Sequence, residues 1–98
     1  MTEEYNKVTI RNEGELMDYK IIAIKIDART KHAAEVQRLL TEHGCMIKVR
    51  LGLHDLPEGS CSTSGLIILE VVESDLVIGE FIEKLNILDQ VTAKYLSL

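Results

Sequence analysis

His54 and Cys61 stand seven residues apart in one polar run, HDLPEGSCSTSG, residues 54 to 65. An imidazole and a thiol are borderline-soft ligands, so the pair first suggests a transition-metal site. The run also holds Ser60, Ser62, Thr63 and Ser64, which suggests a nucleophile with His54 as its base. That chemistry needs a third group to orient the base, and the sequence offers none. His32, His43 and Cys45 complete the ligand inventory, and neither a CxxC nor an HExxH spacing occurs. The expectation is a non-enzymatic chain without a cofactor. A metal-sensing role remains the alternative, with His54 and Cys61 brought together across subunits. The second chemistry is anion binding. Arg50 carries a guanidinium able to grip a carboxylate bidentately, and Gly52 beside it lets a ligand approach the backbone. The bland alternative is an Arg50 that pairs with Glu70 across the sheet.

The elements that position these residues follow from periodicity. KIIAIKI, residues 20 to 26, is rich in β-branched residues and predicts a central strand. Ile22, Ile24 and Ile26 share one face; Ile21, Ala23 and Lys25 share the other. Thr30 is the expected cap of a first helix running to about His43, with Ala33, Val36, Leu39, Leu40 and His43 on its apolar stripe. Gly44 is the expected left-handed stop. Residues 45 to 54 alternate, which predicts an edge strand with Cys45, Ile47, Val49, Leu51 and Leu53 toward the core. Met46, Lys48, Arg50, Gly52 and His54 then face the other way. Pro57, Glu58 and Gly59 mark a turn. LIILEVV, residues 66 to 72, predicts a second central strand. Ser74 or Asp75 caps a second helix that buries Ile78, Phe81, Ile82 and Leu85. Asn86 stops that helix, and residues 91 to 98 form a last strand with Val91, Ala93 and Tyr95 on one face.

The order βαββαβ predicts an α+β, ferredoxin-like fold in which two helices cover one face of a four-stranded antiparallel sheet. One domain spans 19–98. Residues 1–18 form an arm or an extra N-terminal strand, with Met17 a candidate internal start. The uncovered sheet face carries Ile21, Ala23, Leu66, Ile68 and Leu96, and such apolar faces mark interfaces. A homodimer or homotetramer is therefore expected.

The chain has 98 residues and 46% apolar content, with one Phe and no Trp, so its core is aliphatic. Sixteen acidic residues against 11 basic ones give a net charge of −5, which argues against direct nucleic-acid binding. No apolar run of membrane-spanning length occurs. Two cysteines and a polar, acidic start fit a cytoplasmic setting.

Three stretches carry a resemblance to a known family: IKVRLGL at 47–53, SGLIILEVVESDLVIGEFIEKL at 64–85, and LDQVTAKYLSL at 88–98. Over Met17 to Leu98 the chain resembles the iron-only hydrogenase system regulators, ACT-like domains of ferredoxin fold. It departs from them in its long 54–65 run and in Asp89-Gln90, where the family commonly has proline-glycine. The resemblance implies a regulatory role, in transcription or a hydrogenase system, and an effector or regulatory protein bound at a subunit interface near a strand-to-helix loop. The corresponding loops here carry Arg29 and Ser74, which join Arg50 and Gly52 as expected effector contacts.

Overall fold

A computed structural model describes residues 18–27, 30–54 and 65–98, with Leu53 and His54 described through their backbone alone. The expected N-terminal arm or strand, Arg29, Cys61 and the turn at Pro57 lie outside those residues. The described chain runs β1 (Lys20–Ile26), α1 (Ala33–Glu42), a 3-10 turn (Gly44–Met46), β2 (Ile47–His54), β3 (Gly65–Val71), α2 (Asp75–Asn86) and β4 (Val91–Ser97). The strands form one antiparallel sheet in the order β2-β3-β1-β4. That is the ferredoxin-like arrangement, with β1 and β3 central and β2 and β4 at the edges.

The register follows from the two central strands. Ile22 lies opposite Leu69 and Tyr95, and Ile24 opposite Ile67 and Ala93. Directly paired residues project to the same face. This face packs against the helices: Ile22, Ile24 and Leu69 are fully buried with Val36, Leu40, Ile78, Phe81 and Leu85. Ile82 and Ile26 pack partly buried at the margin, while Ala33 of the expected α1 stripe is exposed. Ser74 caps α2 by accepting from Val77 N–H at 3.3 Å, and its φ/ψ of −69° and 156° are those of a helix-capping residue. Asn86 does more than end the helix. Its Oδ1 accepts from Ala93 N–H at 2.7 Å and its Nδ2 donates to Ala93 C=O at 3.0 Å, satisfying the two backbone groups that Ala93 turns outward from edge strand β4.

Two local expectations at the ends of α1 are corrected. Thr30 does not cap α1, which begins at Ala33 after His32 with no side-chain cap bond. The Thr30 hydroxyl instead accepts from His32 N–H at 3.1 Å and donates to Asp89 C=O at 2.7 Å, tying two loops together. Gly44 is not left-handed; α1 closes on His43 N–H, which donates to Leu39 C=O, and passes into the 3-10 turn. Among the described non-glycine residues the left-handed one is Gln90, with φ of 66°, in the turn before β4.

The largest correction concerns β2. Cys45 is exposed in the 3-10 turn and Met46 is buried in its place. Ile47 pairs with Val71, yet Val49 pairs with Glu70, so one extra residue is inserted at Lys48. A bulge of this kind reverses the facing of everything beyond it. Val49 and Leu51, expected in the core, lie on the open face at 51% and 52% exposure. Arg50 and Gly52 pair with the core residues Leu69 and Ile67, and so share the helix side of the sheet.

Candidate functional site

Of the expected effector residues, Arg29 lies outside the described residues, and Ser74 does not converge with Arg50 and Gly52 within one subunit. Arg50 lies on the β2 edge and donates from Nη2 to Gln37 Oε1 of α1. It does not pair with Glu70; that carboxylate lies on the opposite face, 3.9 Å from Lys48 Nζ. Gly52 lies two residues on, and a Cβ built there meets nothing within 4 Å, so this face of β2 has open space beside Arg50. Ser74 is at the other end of the domain from the 27–30 loop, because β1 and β3 run antiparallel and each leads out of the sheet at its own end. Its hydroxyl is already engaged as the α2 cap.

The loop around Ser74 satisfies its own charges. Lys20 Nζ donates to Glu73 C=O at 2.8 Å and lies 3.4 Å from Asp75 Oδ1. Tyr95 Oη donates to the same carboxylate oxygen at 3.0 Å. Desolvation, and then the proton it shares with Asp75, hold the Tyr95 phenol above its usual range. Asp75 also sits in the first turn of α2, where a negative charge suits the helix dipole. On α1, Arg38 binds Glu35 and Glu42 on the exposed face. That hydrogen bond from Arg38 lowers the Glu35 carboxyl, although contact with solvent keeps its weight in stability small.

One cleft that the sequence did not reveal forms where the end of α1, the 3-10 turn and the start of α2 meet. It has a volume of about 220 Å³ and is lined by Glu42, His43, Cys45, Met46, Glu73 and Val77. His43 is spoken for: its Nδ1 donates to Leu39 C=O at 2.9 Å, and its ring stands 4.6 Å from that of Phe81. Among the described residues no three His, Cys, Asp or Glu side chains gather as a metal site. The backbone of His54 pairs with Gly65 at the end of β2, while its side chain and Cys61 lie outside the described residues.

The residues expected at an interface do converge. Ile21 pairs with Glu70 and Leu96, Ala23 with Ile68 and Lys94, and Lys25 with Leu66 and Thr92. All of these are on the face away from the helices. The bulge in β2 adds Val49 and Leu51 to the same two cross-strand rows. Tyr19 and Leu98 exchange backbone hydrogen bonds at 2.8 Å and continue the alternation beyond the strands, as Val72 does beyond β3. Of the eight large apolar residues that the described chain exposes, six are therefore on this one face: Tyr19, Val49, Leu51, Val72, Leu96 and Leu98. Only Leu76 and Ile87, on and just after α2, are elsewhere. The sequence pattern missed Val49 and Leu51 because it placed them on the wrong side of β2.

No family model matches the chain, and no curated protein does. Among solved structures it is similar to that of the uncharacterized protein TM1266 from Thermotoga maritima, with a TM-score of 0.70 and 25% identity over 82% of this chain and 95% of that one. The likeness supports the ferredoxin-like fold. No helix among the described residues is long and apolar enough to cross a membrane.

Proposed function

We propose that this chain is a non-enzymatic, ACT-like regulatory domain that self-associates through the open face of its sheet. In that assembly it binds a small effector or a regulatory protein at a subunit boundary, in transcriptional or hydrogenase-system control as the family resemblance implies. One observation carries the reading. A sheet face holding six exposed large apolar residues, with Ile68 and Ala23 at its centre, is a costly surface to leave in water. A second copy covers it with the same residues, as a two-fold interface requires. The absence of convergence among Arg50, Gly52 and Ser74 within one subunit fits an effector held between subunits rather than inside one.

Light scattering at micromolar concentration tests the reading. The expected mass is two or four times 11.0 kDa. A species at the single-chain mass, unchanged on concentration, overturns it.

A further inference from the structure

On its two central strands the open face is apolar at its centre and carries one charge of each sign, at positions related by the local symmetry of the sheet; Lys94 lies beside Ala23 on edge strand β4. Ala23 on β1 pairs with Ile68 on β3. Two residues beyond Ala23 stands Lys25, and two residues beyond Ile68 stands Glu70. Because the strands are antiparallel, these lie at opposite ends of the pair, about 14 Å apart along it. That is too far for them to meet within one subunit. Lys25 has no ion-pair partner among the described residues. Glu70 has Lys48 at 3.9 Å, yet its side chain is only 20% exposed, among Val49, Ile21 and Ile68.

We infer that the partner of this face is a second copy stacked sheet on sheet, with a two-fold axis passing between Ala23 and Ile68, so that Glu70 of each subunit meets Lys25 of the other. This rests on the self-association proposed above and specifies its geometry. An in-plane axis perpendicular to the strands reverses the copy end for end, and so lays the Glu70 end of one sheet over the Lys25 end of the other. It leaves the two side chains one strand, about 4.8 Å, out of line. Tilting the axis so that the strands cross at about −30°, the ordinary angle for aligned twisted sheets, removes most of that offset. Two identical ion pairs then flank an apolar centre built from Ile68, Ala23, Leu51 and Ile21. A carboxylate has two oxygens, so Glu70 serves Lys48 of its own chain and Lys25 of the other together. The opposite charges fix one stacking among the many that an apolar face alone would allow.

Sedimentation of Glu70→Lys, of Lys25→Glu and of their mixture tests this. In each variant alone the interface sets like charge against like, and the dimer dissociation constant should rise about tenfold or more. In the mixed dimer both contacts are again of opposite sign, so equimolar mixing should restore association to within about threefold of the wild type. The double variant should behave like the mixture. Lys25 is exposed and Glu70 half-buried, so each variant is expected to fold, which circular dichroism checks. Single variants that associate like the wild type, or a mixture as weak as its components, overturn the stacking. Association of the wild type that Ile68→Asp abolishes but these charge changes leave untouched removes this geometry and keeps the open-face assembly. A monomeric wild type removes both.

Discussion

Ile68→Asp is expected to leave a folded chain of 11.0 kDa where the wild type is a dimer or tetramer. Ile68 sits on central strand β3, opposite Ala23 on one side and Leu51 on the other, at the middle of the open face. Its side chain points away from the helices, so the core of Leu69, Ile67 and Phe81 keeps its packing. The cost to the isolated fold is that of placing Asp in a strand, about 1 kcal/mol. The cost to the assembly is far larger. A carboxylate at the centre of a stacked interface has no partner there, and burying an unpaired charge costs several kcal/mol. The dissociation constant should therefore rise by about a hundredfold or more, while circular dichroism stays native. Leu76→Asp is the control. Leu76 is 73% exposed on α2 and outside the sheet face, and its substitution should not change the mass.

Phe81→Ala is expected to have the largest effect on stability, about 3–5 kcal/mol. Phe81 is the chain's only phenylalanine, it is fully buried, and no tryptophan shares the load. It fills the space between α2 and the sheet and supports the His43 ring at 4.6 Å, which in turn closes the end of α1. Truncation leaves a cavity ringed by Ile and Leu side chains already held in a β-sheet register, which limits how far they can collapse into it. A domain of this size is stable by only about 5–15 kcal/mol, so the variant should melt roughly 15–30 °C lower. Phe81→Leu preserves most of the volume and should cost about 1.5 kcal/mol or less, as thermal denaturation would show.

Much of the architecture was legible where a strand or helix kept one unbroken period. KIIAIKI and LIILEVV gave the two central strands. Ile78, Phe81 and Leu85 gave the buried stripe of α2, and Ser74 its cap. The open-face residues Ile21, Ala23, Leu66, Ile68 and Leu96 followed because β1, β3 and β4 carry no insertion. The second strand misled for a physical reason. Alternation from Cys45 to Leu53 is regular on paper, but the 3-10 turn removes Cys45 and Met46 from the strand, and the bulge at Lys48 shifts the phase once more. Hydrophobicity could not reveal this. Both sides of an edge strand here are partly exposed, and Val49 and Leu51 look like core residues whether a helix or a second subunit covers them. The expected Arg50–Glu70 pair failed with the same phase error, and Gln37, the residue Arg50 does reach, is across a tertiary contact that no local pattern signals.

Methyl NMR with a soluble paramagnetic agent reads directly whether a second copy covers the open face. In the assembled wild type the methyl signals of Ala23, Ile68 and Leu51 should be protected nearly as well as that of core Leu69, while Leu76 and Ile87 are strongly attenuated. Attenuation of the Ala23, Ile68 and Leu51 methyls to the level of Leu76 and Ile87 would contradict it.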